Sequence, residues 1–489
     1  MEYVLGIDIG TGSVKAVAVN PGGLSVGVSQ QHYSFSAPKP GYYEQDPEQI
    51  WQAFQNCIRE IIAKTGSQPL AIGLSSAMHS LIAVDAHCQA LYPMITWADN
   101  RSAAIATRLR ANAEGLAIYK ATGTPLHAMS PLSKIIWMRE NDATLFHKTH
   151  KFIAIKEYIW HKLFDEFVID HSSASCTGLF DIEQLHWYQE ALNITGISEE
   201  MLSQPVPTNH IKTYRPVKGL DFIKHTVPFV IGASDGCLAN LGSMADKPGI
   251  AAMTIGTSGA VRIASRKPLP NTKAMTFSYI LDKETFICGG PINNGGVALQ
   301  WWLKNNTDGE PRDDDYNQLF SEISKTPAGS NGLIFLPYLT GERAPIWDSE
   351  SSGVFFGIKL QHTRAHFSRA VLEGICYAMK DVLDAVQKNS EPITQINVSG
   401  GVTKSEVWVQ TLADITGINM AVLQTGDASA VGAGLIALKS IGLINEYPTL
   451  EADLKLFKPD AKNVALYAER FSVYKQIYRD LKGLMHRLG

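Results

Sequence analysis

The chain lacks the features that mark several large classes of protein. Its 489 residues contain no apolar run of about 18, so the sequence predicts no membrane-spanning helix. It has no block of lysine or arginine, and its formal net charge is only −4. Binding to nucleic acid or to an anionic membrane is therefore not expected, and a small-molecule substrate fits the charge pattern better.

The cysteines give no sign of a metal centre or of a disulfide framework. None of the six belongs to a C-x-x-C pair, and no histidine stands at ligand spacing from them: Cys57, Cys88, Cys176, Cys237, Cys288 and Cys376. Reduced, buried thiols are expected. The N-terminus has no basic stretch ahead of a long apolar run, so the sequence predicts a cytoplasmic location.

Two common phosphate-binding motifs are also missing. The dipeptide Gly-Lys does not occur, so there is no G-x-x-x-x-G-K-[ST] loop. Gly10-Thr11-Gly12 is not completed to G-x-G-x-x-G, because Lys15 stands where the third glycine would be. A P-loop NTPase and a dinucleotide-binding dehydrogenase are both disfavoured.

The composition is that of a globular protein with a large core, with 45% hydrophobic and 18% charged residues. A chain of this length exceeds one ordinary core, so two domains are expected, with three smaller ones as the alternative. A strand, a glycine-hydroxyl turn and a second strand occupy residues 3–19, and the same plan returns at residues 249–264 around Gly256-Thr257-Ser258-Gly259. This echo indicates an internal duplication, with lobes 1–246 and 247–489.

Short apolar strands alternate with helical stretches in both halves. Strands are predicted at residues 71–75, 228–232 and 393–399, and helices at 47–65, 133–141, 367–387, 405–416, 431–440 and 464–487. Such alternation predicts an α/β fold.

Each glycine-rich turn can bind phosphate, because its consecutive backbone N–H groups point into one concavity. Hydroxyl groups of Thr11 and Ser13 can add donors, and Lys15 can neutralise a phosphate. One such turn alone is more often an ordinary hairpin, but its duplication with Gly-Thr retained favours phosphate binding.

Two aspartates follow apolar strands in the first half. Asp8 ends the first strand and could hold magnesium through water, and a carboxylate capping the turn is the alternative. Asp235 follows residues 228–232 and could accept a hydroxyl proton during phosphoryl transfer, or could cap a helix. Gly400 and Gly401 end another strand, where close approach of a ring or a phosphate is feasible.

The sequence resembles the FGGY carbohydrate kinases over almost the whole chain. Two long signatures carry the resemblance: Met129-x-Pro131-x-x-Lys134-Ile135-x-Trp137-Met138-x-Glu140-Asn141, and Gly353-x-Phe355-x-Gly357-Ile358 followed by His366-Phe367-x-x-Ala370-Val371-Leu372-Glu373. The resemblance implies a two-lobed, duplicated actin-like ATPase fold of the ribonuclease H type, with the active site in the cleft between the lobes.

Within that family the chain is most similar to the gluconokinases. Their pattern is matched at residues 75–80, 95–102, 155–159, 232–236, 291–296 and 341–345. The xylulose kinases differ at two of these places, so gluconate is preferred to a ketose as the expected substrate.

The resemblance also implies roles for single residues. Asp235 aligns with the catalytic base, and Asp8 with the metal-side carboxylate. Substrate-binding residues are expected at Met78, His79, Trp97, Lys156, Asp235, Asn294 and Arg343. Phosphate or nucleotide contacts are expected at Gly10, Thr11, Ser13, Lys15, Gly256, Thr257, Gly296, Gly400, Gly401 and Ser405. Gly12 departs from the family, where many members have a second threonine, which puts one hydroxyl contact in doubt.

The expected reaction uses ATP and Mg²⁺ to phosphorylate gluconate at O6. A sugar acid needs a cation or several donors for its carboxylate, and His79, Arg101, Lys156 and Arg343 lie in motifs that could supply them. A homodimer is expected by family analogy alone. Two alternatives remain: a kinase of xylulose, another ketose or a polyol, and an actin-like nucleotide-binding assembly protein that acts on no sugar.

Overall fold

The computed structural model describes residues 2–213, 216, 219–223, 226–307, 309–388, 390–423, 427–448 and 454–488. It contains two compact units. The first comprises Met1–Met244, Ser265–Ile287 and Asp427–Leu450, and the second comprises Ala245–Ala264, Cys288–Gly426 and Glu451–Gly489. Relative to the predicted lobes, residues 265–287 and 427–450 of the second half thus belong to the first unit.

Strands and helices are interspersed along the described chain, in keeping with the predicted α/β class. The strands are β1 (Val4–Ile9), β2 (Ser13–Val19), β3 (Ser25–His32), β4 (Glu44–Gln45), β5 (Ile72–Ser76), β6 (Ile82–Val84), β7 (Met94–Ile95), β8 (Lys151–Ile153), β9 (Val168–Asp170), β10 (Phe180–Asp181), β11 (His186–Trp187), β12 (Gln204–Val206), β13 (Ile211–Thr213), β14 (Pro228–Ser234), β15 (Ile250–Ile255), β16 (Gly259–Ser265), β17 (Phe277–Ile280), β18 (Phe286–Ile292), β19 (Ile334–Leu336), β20 (Val354–Phe356), β21 (Gln395–Ser399), β22 (Asn419–Val422) and β23 (Lys455–Phe457). The helices are α1 (Pro47–Thr65), α2 (Ala103–Arg110), α3 (Ala113–Thr122), α4 (Pro131–Asn141), α5 (Ala143–Lys148), α6 (Ile155–Phe164), α7 (His171–Ser175), α8 (Gln189–Thr195), α9 (Asp235–Gly242), α10 (Gly296–Lys304), α11 (Asp313–Lys325), α12 (Arg364–Gln387), α13 (Glu406–Thr416), α14 (Ala428–Ser440) and α15 (Ala461–Met485).

A mixed sheet organises the first unit, in the order β13-β14-β5-β1-β2-β3. Strands β1, β2 and β3 form an antiparallel meander, whereas β5 runs parallel to both β1 and β14. Parallel strands end at the same edge of a sheet, so the residues that follow β1, β5 and β14 lie near one another. Both predicted aspartates are at this edge.

Helix α1 shows how local sequence sets an element that covers this sheet. Asp46 caps its start by accepting from the Glu48 amide over 2.9 Å, and Pro47 occupies the first helical turn. Gly66 ends it in the left-handed conformation. Its apolar stripe packs on β2 and β3 and is buried at Ile50, Trp51, Ala53, Phe54, Cys57, Ile58 and Ile61.

Helix α14 packs on the same sheet although it lies more than 400 residues further along the chain. Its backbone approaches so closely that an added Cβ on Gly6 would lie 1.8 Å from the Ala430 carbonyl oxygen. On Gly73 it would lie 2.0 Å from the Ala433 carbonyl oxygen. Glycine in β1 and β5 is therefore what lets this helix sit on the strands that carry the site.

The second unit repeats the central plan of the first. Strands β15 and β16 form an antiparallel hairpin, and β21 runs parallel to β15, as β5 does to β1. Strand β22 continues the sheet in parallel and β23 closes it in antiparallel orientation. The two hairpins predicted from the sequence are confirmed. All six cysteines are free and buried, as expected.

Candidate active site

The first glycine-rich loop follows β1 and is held in place by its carbonyl groups. The Gly10 amide donates to the Ser13 carbonyl over 3.0 Å and closes the turn. The Tyr33 hydroxyl donates to the Gly10 carbonyl, and Gln45 Nε2 donates to the Thr11 carbonyl over 2.7 Å. The loop conformation is thus fixed by the protein itself.

The two hydroxyl groups of this loop each accept a hydrogen bond. Trp97 Nε1 donates to Thr11 Oγ1 over 2.8 Å, and Gln30 Nε2 donates to Ser13 Oγ over 2.9 Å. A hydroxyl that accepts a bond keeps its own hydrogen for donation. Both side chains can therefore still donate to a phosphate oxygen, as the sequence predicts.

Asp8 lies near the end of β1, beside β5. Ser75 Oγ donates to Asp8 Oδ1 over 2.7 Å, and Lys15 is its register partner on β2. Burial raises the pKa of Asp8 above its usual range, while the Ser75 hydrogen bond and the positive charge of Lys15 lower it in part. A cation next to this carboxylate would favour its ionised form.

Lys15 forms an ion pair with Asp427, a residue that the sequence analysis did not identify. Asp427 precedes α14 in the left-handed conformation, with a φ of 70°. The charge of Asp427 also raises the pKa of Asp8, which puts two carboxylates and one ammonium in a single electrostatic cluster.

Asp235 begins α9 directly after β14. The register aligns Asp8 with Ser75 across β1 and β5, and Ser75 with Ala233 across β5 and β14. Asp235 thus lies two residues beyond the end of this row, half-buried, at the sheet edge where Asp8 is found. Ser429 Oγ donates to the Asp235 carbonyl over 3.3 Å, so the start of α14 contacts this segment too.

Two of the predicted sugar-binding residues line one small recess of the first unit. Met78 and Trp97 lie there with Gly10 and Thr11 of the loop. The recess has a volume of only about 10 Å³, so these two side chains and the first phosphate loop pack together within this unit without room for a sugar in the recess itself.

His79 is buried beside this recess, in the left-handed conformation with a φ of 65°. Its Nδ1 lies 2.7 Å from the Cys176 carbonyl oxygen, and its Nε2 lies 3.4 Å from the Tyr279 hydroxyl. The two rings meet edge to face, with centroids 5.8 Å apart. Both ring nitrogens thus have partners within the protein.

The second unit holds a cavity of about 540 Å³ next to its own glycine-rich loop. The loop joins β15 to β16, and α10 begins on it: the Gly296 amide donates to the Gly256 carbonyl over 2.7 Å and the Val297 amide to the Thr257 carbonyl over 3.1 Å. Residues lining the cavity include Gly256, Thr257, Gly296, Gln300, Asp313, Tyr316, Phe320, Gly401, Lys404 and Trp408. Four predicted nucleotide residues meet here.

Comparison with known families gives two matches that together cover most of the chain. The N-terminal domain model of the FGGY family of carbohydrate kinases matches residues 3–242, and the C-terminal domain model matches residues 251–441. The chain belongs to the FGGY family of carbohydrate kinases. It is therefore a phosphotransferase, and ATP is the phosphoryl donor that this family implies.

Individual FGGY kinases are similar over nearly the full length. Gluconokinase of Bacillus subtilis is 41% identical over 456 residues, which is 91% of this chain and 89% of that protein. Two crystal structures from Lactobacillus acidophilus, a ligand-bound xylulose kinase and a gluconate kinase, each superpose with a TM-score of 0.94 at 32% identity and cover 100% of both chains. The actin-like two-domain fold expected from the sequence is confirmed.

In this FGGY kinase the Lys156 side chain has partners within the protein, and its contact with substrate stays a prediction. Its side chain is 2% exposed and pairs with Asp170 over 2.7 Å. It also donates to the Ala233 carbonyl over 2.9 Å. The ammonium therefore supports the end of β14, two residues before Asp235. Arg101 is likewise occupied, by Asp99 and Glu44 at 2.8 and 2.5 Å.

Asn294 also makes hydrogen bonds within the protein, and its contact with substrate stays a prediction. It is fully buried, and its amide nitrogen donates to the Gly341 carbonyl over 2.8 Å and to Glu342 over 3.1 Å. Its oxygen accepts from Thr340. Asn293, one residue earlier, is half-buried and is the better placed of the two amides for a ligand.

Arg343 is buried in the same loop and donates from Nη2 to the Ile292 carbonyl over 3.0 Å. Burial raises the pKa of the adjacent Glu342, and hydrogen bonds from Asn293, Asn294 and the Arg343 amide lower it in part.

Gly400 and Ser405 do not line the cavity itself. Gly400 has a φ of 91° and lies against the Ile255 carbonyl, and Ser405 is the buried residue that precedes α13. Sequence reasoning missed the aromatic wall of the cavity, Tyr316, Phe320 and Trp408. Such side chains give no motif, because aromatics at helical spacing are more often part of a core.

Within the described residues no group of three or more histidine, cysteine, aspartate or glutamate side chains is arranged to hold a metal ion. Magnesium bound with nucleotides typically takes one or two protein carboxylates and several phosphate or water oxygens. Asp8 fits that requirement, and Asp427 is the second carboxylate of its cluster. No helix in the described ranges has the length and apolar character to cross a membrane.

Proposed function

We propose that this FGGY kinase transfers the γ-phosphoryl group of ATP to O6 of D-gluconate, giving 6-phospho-D-gluconate and ADP. The observation that carries the choice of gluconate is the 41% identity with a gluconokinase over 91% of the chain. The cytoplasmic location and the homodimer expected from the sequence stay predictions.

Asp235 is the proposed general base. Transfer to an alcohol requires removal of the hydroxyl proton while that oxygen attacks the phosphorus in line. Support comes from the place of Asp235 at the carboxyl edge of the sheet, half-buried, with its backbone carbonyl accepting from Ser429. Lys156, paired with Asp170, supports the strand end before it through the Ala233 carbonyl.

The first phosphate loop is proposed to stabilise charge on the transferred group. Thr11 and Ser13 keep hydroxyl hydrogens for donation, and Lys15 offers a positive charge. Asp8 would hold Mg²⁺, which neutralises phosphate charge when it is bound. The cavity of the second unit, about 540 Å³, is the proposed site of the adenosine moiety, because its aromatic side chains suit a flat base.

The gluconate carboxylate needs a cation or several donors. Of the four cations weighed from the sequence, Arg101 and Lys156 are occupied by buried ion pairs. Arg343 and His79 also have partners within the protein, the Ile292 carbonyl for Arg343 and the Cys176 carbonyl for His79, so no single cation is assigned to the carboxylate. Met78 and Trp97 are proposed to contact the sugar chain.

D-Xylulose is the second candidate substrate. It is favoured by the xylulose kinase structure from Lactobacillus acidophilus, whose similarity to this chain has the same TM-score as the gluconate kinase structure. A shared fold does not fix the substrate of a kinase, so direct turnover must separate the two.

The test is ADP release from MgATP by the purified protein with D-gluconate, D-xylulose, glycerol or no sugar. A rate that depends on D-gluconate is expected. Asp235→Asn should lower kcat by a factor of about 10²–10⁴ while the dissociation constant of ATP stays the same. Asp480→Asn, an exposed change on α15, is the matched control and should keep the full rate.

Turnover of D-xylulose or glycerol with no response to D-gluconate would show that the proposed substrate is wrong and leave the family assignment intact. A normal gluconate rate in Asp235→Asn would remove Asp235 as the base.

A further inference from the structure

Lys134 is a buried lysine outside the residues assigned above. It lies in the first turns of α4, and its side chain is among the largest that are fully buried. Its Nζ donates to two backbone carbonyls, those of His79 over 2.5 Å and Thr96 over 2.8 Å. The ammonium thus connects two segments that are 17 positions apart in the sequence, both in the first unit.

The two segments pair with each other only as far as Leu81 and Ile95. There the amide of each residue donates to the carbonyl of the other over 2.9 Å. Lys134 binds the two carbonyls just beyond this bridge, at the point where the backbone ladder ends. Buried carbonyls without a donor are costly, so one side chain replaces the next step of the ladder.

Each segment carries one of the residues proposed to contact the sugar. Met78 precedes His79, and Trp97 follows Thr96, and both line the recess. The Trp97 indole also donates to Thr11 of the phosphate loop over 2.8 Å. A shift of either segment would therefore change the recess and the position of a loop hydroxyl together.

Among the described residues, no carboxylate forms an ion pair with Lys134 that would account for its burial. The carboxylate that acts on it is Asp99, whose oxygens are bound by Arg101 and by the Tyr43 amide. Burying an ammonium is costly, and stability alone would favour an apolar side chain of the same length. A cost of this kind is expected where function requires a fixed geometry.

We propose that Lys134 is a positioning residue for the sugar site, which holds the segments of Met78 and Trp97 at a fixed separation through the His79 and Thr96 carbonyls. The inference rests on the proposed function, because it takes Met78 and Trp97 as contacts of the sugar. It assigns Lys134 no contact with substrate.

Lys134→Met tests this role, because methionine keeps an unbranched apolar chain and removes the donor. The KM for D-gluconate should rise about tenfold, whereas the KM for MgATP should stay within about twofold. The melting temperature at pH 7 should change little, because removal of a buried ammonium offsets the loss of the donor to the two carbonyls. Amide hydrogen exchange without any sugar should become faster at residues 77–80 and 94–97. Lys148→Met, the same change at an exposed site on α5, is the control.

Lys134→Gln keeps an N–H donor on a side chain that is one bond shorter, so its KM for D-gluconate and its exchange rates should lie between those of the wild type and Lys134→Met. If Lys134→Met does not fold, Lys134→Gln provides the test. Unchanged exchange at both segments would overturn the proposal, as would equal increases in both KM values with a lower melting temperature. The exchange measurement needs no turnover. Thus, if the wild-type protein phosphorylates D-xylulose and not D-gluconate, the proposed substrate fails while the role of Lys134 is still tested, with D-xylulose as the varied sugar.

Discussion

Asp8 is proposed to act as a carboxylate, but its buried position disfavours the charged form. Burial raises its pKa, so in the pH range between the unfolded and folded pKa values the folded state binds more protons than the unfolded state. Stability therefore falls as the pH rises through this window, and the full cost is present at neutral pH. Asp8→Asn should raise the melting temperature at pH 7.5 and lower kcat about a thousandfold.

The gain in stability should shrink as the pH approaches about 4, because the wild-type carboxyl is then protonated as well. Thermal denaturation at pH 4.5, 6 and 7.5 would measure this trend. A melting temperature below that of the wild type at pH 7.5 would contradict it and would indicate that the attraction of Lys15 outweighs the cost of burial.

For Lys134 the predicted change of stability with pH has the opposite sign to that for Asp8. Burial lowers its pKa to about 7 from 10.5, and Asp99 raises it in part while Arg101 lowers it further. His79 contributes its carbonyl and not its ring to this site. Between these two pKa values the unfolded chain binds more protons, so the contribution of Lys134 to stability rises with pH.

Urea denaturation of wild type and Lys134→Met between pH 7.5 and 9 would test this. The stability of the wild type relative to the variant should increase by about 1.4 kcal/mol per pH unit, the value for one proton. Subtracting the stability of the variant from that of the wild type removes the contribution of the other titrating groups, because both proteins share them. A constant difference across this range would mean that the folded pKa of Lys134 is not lowered.

At the scale of elements, α14 is held against β1 and β5 by the absence of side chains on the strands. An alanine Cβ at Gly6 would lie 1.8 Å from the Ala430 carbonyl oxygen, which is part of the helix backbone and cannot rotate away. Gly6→Ala should therefore destabilise the first unit by about 3 kcal/mol or more. It should also lower activity, because α14 begins at Asp427 and Ser429, which contact Lys15 and Asp235.

Gly483→Ala in α15 is the matched control. An added Cβ there meets nothing within 4 Å, and alanine favours helix, so a gain of up to about 1 kcal/mol is expected. Equal effects of the two substitutions in a thermal melt would show that close approach of α14 is not what requires glycine in β1.

The sequence predicted elements well where the signal was local. Residues 47–65 form α1 as predicted, and both glycine-hydroxyl hairpins are present. Apolar periodicity and turn residues are local properties, so they mark such elements. The packing of α14 on β1 could not be predicted, because no local pattern in Gly6 or Ala430 refers to a partner more than 400 positions away.

The candidate site was predicted in part, for a similar reason. Asp8, Asp235 and the two loops follow strands, and strand ends can be found in a sequence. The structure gives Lys156 and Asn294 partners within the protein that the sequence did not reveal, since a motif does not show which buried partner binds a side chain. Their contacts with substrate stay predictions. Asp427 was missed because its contact with Lys15 depends on the fold alone.

At the scale of the molecule, the first compact unit cannot be obtained by cutting the chain at residue 246. Its segments at residues 265–287 and 427–448 come from the second half. They supply the Thr276 carbonyl that accepts from the Tyr119 hydroxyl over 2.7 Å, and the Leu281 carbonyl that accepts from Thr208 over 2.9 Å. They also supply α14, whose buried face covers β1 and β5.

A fragment of residues 1–246 should therefore unfold without a cooperative transition and bind a hydrophobic dye, because the sheet face under α14 is exposed. A chain that joins residues 1–287 through a flexible linker to residues 427–448 has the same first 246 residues and both missing segments. It should recover a single cooperative melt. If residues 1–246 alone melted cooperatively within a few degrees of the joined chain, the two later segments would contribute little to the unit, and the predicted lobes would describe independent folding better than the compact units do.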